Sequence, residues 1–341
     1  MSTREPTPVP TSTRACLAGE DLDWIGHRSV CVAVDLPTRV RTVTGHSAAE
    51  HPAVAATATE VWEYLCARLP QGGPRTRPAV EVDASAPLNS GLSSSSALII
   101  GLFRAFTHRL GTVDEAAVLQ WSYDFEYAIC HGGGMDQTAI VTGGAVLTEG
   151  RDGTLPVLAG QAPFPTDWRL VVVDSATAKD TAGHLAQVRA RHAQRDPRLA
   201  RYVTEADHSA EQAWRAITGQ DLDALTAAMD RAHTAMRDIQ GMSTDTLEGI
   251  RDLARRTAGL RLKITGAGGG GAMVGVCAAA DAAAVEEVLT AALAGPYPRA
   301  RIPVATAAPP AAAVLRPVHA AGPQGGHGPG VLVALPGTGL R

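Results

Sequence analysis

The chain of 341 residues has a formal net charge of −4, with 45% hydrophobic and 19% charged residues. This is a globular composition, long enough for one large domain or two ordinary ones. The mild acidity, with no basic stripe interleaved with aromatics, excludes the electrostatic footprint of a nucleic-acid binder, and no apolar run reaches the length of a membrane span. Five scattered cysteines without C-x-x-C spacing suggest neither a disulfide framework nor a zinc site, so reduced thiols in the cytoplasm are expected.

After a Pro- and Thr-rich leader (1–14), Ala15-Cys16-Leu17-Ala18-Gly19 leads through a charged turn to the strand-like run Val30–Leu36. The turn, with Asp21, Asp23, His27 and Arg28, reads either as a substrate lip or as a plain hairpin connection. A helix is predicted over 53–69 and a short strand over 79–83. That strand feeds Pro87-Leu88-Asn89-Ser90-Gly91-Leu92-Ser93-Ser94-Ser95-Ser96, which runs straight into an apolar helix. A strand, a Gly/Ser loop and a helix in that order can aim bare N–H groups, hydroxyls and a positive helix end at a phosphate; the same residues also make an ordinary helix cap.

Helical signals from Asp114 to Ala128 precede His131-Gly132-Gly133-Gly134-Met135-Asp136-Gln137. Three glycines let the backbone approach a ligand, and Asp136 beside them reads as a proton acceptor for a substrate hydroxyl or as an N-cap. Trp168–Asp174 is a buried strand by its β-branched run. It is followed by a hydroxyl-rich loop carrying Lys179, which reads as a site cation or a solvated charge. Helical scaffold is expected from Ala186 to Arg237 and again from Leu247 to Leu253.

A third cluster, Gly266-Ala267-Gly268-Gly269-Gly270-Gly271, fits G-x-G-x-x-G but is followed by the strand-like Ala272–Cys277. A glycine hairpin against a ligand therefore fits better than a dinucleotide fold, which needs a helix there. Beyond Val304 the composition is that of a disordered tail.

Together these motifs resemble the GHMP kinase superfamily, over about residues 15 to 305. Pro87–Leu98 is similar to a galactokinase phosphate loop, Lys263–Gly271 to the third motif of mevalonate kinases, and Gly133–Gln137 to the sugar-kinase segment carrying a catalytic aspartate. The resemblance implies an α+β, two-lobed GHMP kinase fold: a ribosomal-protein-S5-domain-2-like N-terminal lobe over 15–165 and an α/β sandwich lobe over 166–305, with a tail over 306–341. It implies transfer of the γ-phosphoryl group of ATP, with Mg²⁺, to a small-molecule alcohol; from composition, no nucleic-acid or membrane partner is expected.

By position, Asp136 would be the base and Ser95 and Glu126 the metal ligands. Pro87, Asn89, Ser90, Gly91, Leu92, Ser93, Ser94, Ser95 and Ser96 would hold the nucleotide with Gly266, Ala267, Gly268 and Gly269. Asp21, Asp23, His27, Arg28, Gly133 and Gly134, with Asp136, would meet the acceptor. Where the family places an Arg or Lys after a glycine to pair with the aspartate, this chain reads Glu20-Asp21, so either Lys179 or Arg28 supplies the cation or the base is weaker than usual. The acceptor is expected to be a sugar or sugar-like polyol, free or already phosphorylated on a group that Arg28 receives. A mevalonate-like or amino-alcohol kinase and a non-catalytic ligand sensor are the alternatives.

Overall fold

The computed structural model describes residues 10–43, 51–68, 76–86, 90–110, 114–302 and 304–310. The first lobe is built on a five-stranded antiparallel sheet. Strand β1 (Pro10–Ala18) and the long β2 (Arg28–Val43) form a hairpin around the single turn α1 (Leu22–Ile25), with Ala15 opposite Val32 and Cys16 opposite Cys31. The other edge of β2 takes β3 (Ala79–Ala84) at its far half and β4 (Ala145–Glu149) at its near half, and β5 (Val157–Ala162) extends the sheet beyond β4. Helices α2 (Pro52–Arg68), α3 (Ser94–Leu110) and α4 (Glu115–Cys130) pack Val61, Leu65, Phe103, Phe106 and Phe125 against Val40 and Val80 of this sheet. The short α5 (Met135–Thr142) is buried along almost its whole length.

Residues 10–14 were expected to be leader and are instead the first half of β1. Thr11 and Thr13 are fully buried, and β-branched side chains suit a pleated, half-buried surface. The expected tail is corrected in the same way over residues 306–310. Between the stretches of β2 covered by β4 and β3, residues 33–37 need backbone partners on that edge. Asp35 N donates to Thr306 O at 2.8 Å and Ala308 N donates to Ala33 O at 2.8 Å, which satisfies groups that cannot be buried unpaired. The remaining tail, 311–341, lies outside the described residues.

The second lobe carries a four-stranded antiparallel sheet in the order β7 (Lys263–Ile264), β8 (Ala272–Ala278), β6 (Trp168–Asp174), β9 (Val304–Ala305). Its helices are α6 (Thr181–Ala193), α7 (Pro197–Thr218), α8 (Leu222–Ala235), one π-helical turn (Met236–Gln240), α9 (Asp245–Ala258) and α10 (Ala282–Leu293). Asp180, Asp196, Asp221 and Thr244 cap α6 to α9 in that order with side-chain oxygens, so each break in the long helical pattern has a capping residue.

Strand periodicity explains why β6 reads as uninterrupted apolar sequence. Leu170 and Val172 face a core shared with Leu17 and Val32 of the first sheet and with Ala210, Ala213 and Met229 of α7 and α8, whereas Val171 and Val173 face a second core with Tyr202, Leu247 and Ile250. The first of these cores fuses the lobes. Among the described residues, no helix is long and apolar enough to cross a membrane.

Candidate active site

A cleft of about 160 Å³ lies where the β1–α1 turn, the start of α3, α4, the glycine turn before α5, α6 and the β7–β8 loop converge. Ligand pockets are commonly about 300–1,000 Å³, so this one is scaled to a small molecule.

Two glycine segments interlock at one side. Gly91 has φ +95°, and a Cβ there would sit 2.4 Å from Thr265 O; one on Gly271 would sit 2.6 Å from Ser90 O. Only glycine permits this approach. The loops are bonded as well as packed, since Ala272 N donates to Ser90 O at 2.5 Å and Cys16 N donates to Thr265 Oγ1 at 2.9 Å. Ser93, at φ +56°, is the last residue before α3. The β7–β8 connection is an antiparallel hairpin with a strand after the glycines, which removes the dinucleotide-fold reading. Pro87 and Asn89, expected in the phosphate loop, lie outside the described residues.

Asp136 occupies the first turn of α5, where the helix dipole favours a carboxylate. Arg14 Nε donates to its Oδ1 at 2.6 Å, and Ser93 Oγ donates to Oδ2 at 2.5 Å. Arg14 also donates to Gly91 O at 2.6 Å, so one buried guanidinium joins the carboxylate to the phosphate loop. The cation expected from Lys179 or Arg28 is therefore Arg14, on β1. A charge amid the buried run Thr11–Ala18 was the available signal, because an arginine inside a strand core must have an acidic partner.

Lys179 does reach the site, in another place. Its Nζ lies 3.4 Å from where a Cβ on Gly91 would be and 3.8 Å from that on Gly266. Burial first, then Arg14, pulls its pKa down to about 8 against the opposing pull of Asp136. An ammonium held between two glycine loops, with no ion-pair partner among the described residues, suits a phosphoryl group.

Arg28 and His27, expected at the acceptor, turn away from it. Arg28 Nη2 donates to Asp207 Oδ2 at 2.6 Å and lies 3.4 Å from Glu211; His27 Nδ1 is 3.8 Å from Asp207. Neither lines the cleft. The cause is geometric, since these residues open β2 on the side covered by α7.

The rest of the β1–α1 turn does line the cleft, with Glu20, Asp21 and Asp23. The turn is thus both a hairpin connection and a lip. Glu20 is ion-paired to the fully buried Lys263, which also donates to Ile264 O at 2.6 Å. Asp21, left-handed at φ +66°, meets His184 Nε2 of α6 at 2.9 Å; burial works against the charged imidazole, but Asp21 outweighs it and raises the His184 pKa. Asp23 accepts from Met135 N at 3.1 Å, and a Cβ on Gly133 would lie 2.2 Å from its carboxyl carbon. Burial pushes Asp23 up to about 7, opposed by Met135 N and assisted by Asp136 and Asp21.

Ser95, Ser96 and Glu126 share another stretch of wall. Ser96 Oγ donates to Glu126 Oε1 at 3.0 Å, and Gln137 Nε2 donates to its other oxygen. Burial, then Asp136, pushes Glu126 up to about 8. The half-buried Glu126 carboxylate, bonded to Ser96 with Ser95 on the same wall, offers only oxygen donors, which fits Mg²⁺ when phosphate oxygens and water complete its shell. The residues that sequence reading missed, Arg14, Glu20, Tyr123 and Gln137 in the cleft wall and His184 and Lys263 behind it, come from six different elements or turns.

The family model for the GHMP kinases N terminal domain matches residues 56–144, and that for the GHMP kinases C terminal domain matches 212–295. Curated relatives include mevalonate kinases of Gibberella zeae (28% identical; 63% of this chain, 47% of that protein) and Archaeoglobus fulgidus (25%; 58% and 64%). The match thus spans about half to two thirds of those relatives' length. Among solved structures, the chain resembles Lactococcus lactis galactokinase complexed with galactose (TM-score 0.70, 16% identity, covering 89% of this chain and 94% of that one). It also resembles L. major mevalonate kinase in complex with R-mevalonate (TM-score 0.70, 22%, covering 90% and 97%). With both terminal domain models matched in order, the two-lobed fold shared with these kinases, and interlocked glycine loops around a paired aspartate, the chain belongs to the GHMP kinase family.

Proposed function

We propose that the protein is an ATP-dependent phosphotransferase that moves the γ-phosphoryl group to a hydroxyl of a sugar or sugar-like polyol. The observation that carries this reading is Asp136, held by Arg14 and Ser93 beside two interlocked glycine loops. Asp136 accepts the proton of the acceptor hydroxyl as its oxygen bonds to phosphorus and the bond to the β-phosphate oxygen breaks, releasing ADP. Arg14 and Ser93 hold the Asp136 carboxylate in place and aim it. The N–H groups of the Gly91–Ser96 loop and the Lys179 ammonium balance charge spreading over the phosphoryl oxygens. Glu126 and Ser95 would hold Mg²⁺, whose contribution is to neutralise phosphate charge.

A mevalonate-type acceptor is the second reading, favoured by the names of the two curated relatives. The sensor alternative loses its motive once Arg14 pairs with Asp136. ADP release from Mg·ATP across a panel of alcohols tests the proposal; ATP binding without phosphoryl transfer to any alcohol would sink it.

A further inference from the structure

Helix α6 roofs the cleft with Thr181 and Leu185, yet of its 13 residues only Val188 is buried. Its two flanks are fixed. Before it, Ser175 N donates to Gly271 O and Gly271 N donates to Thr177 O, both at 3.0 Å, which fastens the incoming chain to the third glycine loop. After it, Arg195 turns at φ +53° into Asp196, the cap of α7. Between these points, among the described residues, every hydrogen bond that leaves α6 and its flanking loops comes from a side chain: His184 to Asp21, Arg191 to Gln240, and Arg189 to the turns after α4 and β4. His192 adds an edge-on contact with the Trp24 ring, the centroids 5.5 Å apart. A segment with so little buried apolar surface opens at low cost.

Arg189 joins this helix to the surroundings of Asp136. Its Nε donates to His131 O at 3.2 Å, and its Nη2 donates to the same oxygen. Its Nη1 donates to Asp152 Oδ1, between β4 and β5, at 3.2 Å, and the guanidinium lies 4.3 Å over the Trp24 ring of α1. A planar cation with five donors can serve all three at once, which an ammonium cannot. His131, left-handed at φ +54°, ends α4, and Gly132–Gly134 run from it straight into α5. Gly134 caps α5 without a side chain to hold that end. The start of α5 is therefore fixed from two sides, by Asp23 of the lip on Met135 N and by Arg189 of α6 on His131 O. Asp136 is the next residue.

We infer that Arg189 is a positioning residue and α6 the lid that it latches onto the turn presenting Asp136. The inference rests on the phosphotransferase reading. Closure of α6 then does two things at once: it shields the phosphoryl group from water, and it sets the turn that carries Asp136. Arg189 is not part of the cleft wall, so it acts through His131 O and not on a reacting atom. With the latch undone, the turn before Asp136 keeps only the hold of Asp23, and water competes with the acceptor for the phosphoryl group.

The test combines amide hydrogen exchange with product balance in wild type, Arg189→Met and Arg189→Lys. In Arg189→Met, the amides of α6 should exchange about tenfold faster or more, with those of α7 unchanged. Turnover is measured with Mg·ATP and the alcohol of the panel that wild type phosphorylates fastest. There, ADP released without phosphorylated alcohol should rise about fivefold relative to coupled product, and KM for the alcohol about tenfold, while ATP affinity stays within about twofold. A merely structural loss would lower both products together. Arg189→Lys, which keeps a cation over Trp24, should lie between the two. If Arg189→Met does not fold, Asp152→Ala, at a largely exposed carboxylate, loosens the same latch and is read by the same two measurements. Unchanged exchange in α6, or an unchanged ratio of free ADP to phosphorylated alcohol, would overturn the inference. Transfer by wild type to no alcohol of any class would instead remove the phosphotransferase reading, leaving the exchange data to decide whether Arg189 latches α6.

Discussion

In the proposed reading, the phosphate side of the cleft works through backbone, and the acceptor side through side chains. At Gly91 and Gly271 the chain needs the absence of a Cβ, because carbonyl oxygens of the opposing loop lie where one would be. At Asp21, Asp23, Glu126 and Asp136 it uses carboxyl groups, and each draws its hydrogen-bond or ion-pair partner from another element or turn. A backbone cradle suits any nucleoside triphosphate, since phosphates are alike. A wall of side chains can be changed residue by residue, and on the proposed reading that is where acceptor preference resides.

The largest expected effect falls where the two sides meet. Asp136→Asn should lower kcat by roughly 10²–10⁴-fold while ATP affinity stays within a few-fold, as measured by turnover and nucleotide titration; undiminished turnover would exclude Asp136 as the base. Lys263→Met tests the join between the sides, because it strands Glu20 in a fully buried place. Breaking such a pair costs about 3–5 kcal/mol, which denaturant unfolding would read, and Lys263→Met/Glu20→Met should recover most of it. Gly91→Ala should weaken ATP binding and cost about 1–3 kcal/mol through its strained φ and the clash with Thr265 O. An ATP affinity equal to wild type would show that the close approach of the loops is dispensable.

Two smaller effects probe the acceptor side. His184 has its pKa raised in the folded state above the reference 6.5, since Asp21 outweighs burial. A raised folded pKa gives stability that is fully present below the unfolded value and is lost as pH rises through the folded one. His184→Gln should therefore destabilise most below pH 6.5 and converge on wild type at higher pH. A pH-independent difference would mean that packing, and not the ion pair, holds α6 over the lip. Arg28→Ala should be smallest, with about 1 kcal/mol or less of stability lost from this partly exposed pair and kcat/KM for a neutral acceptor within twofold of wild type. A large rise in KM would return Arg28 to the acceptor site.

Much of the fold was legible in sequence. The apolar run Trp168–Asp174, the helical spacing of 53–69 and the strand after Gly271 each name their element, because both periodicity and glycine constraints are local. The phosphate loop was legible for the same reason, since consecutive residues make it. Arg14 was not, as 122 residues separate it from Asp136 and nothing beside it in the chain is acidic. Arg28 misled for the converse reason: a charge next to a lip looks available until Asp207, on a helix 179 residues away, is seen to hold it.

The sequence by itself determined the order of elements and the three glycine-bearing motifs, Asp136 beside one of them, all of which depend on residues adjacent in the chain. Tertiary structure alone decided which cation serves which carboxylate. Buried charge must be matched in space, and the partners here lie on strands, helices and turns that meet only when the two lobes close on a common core.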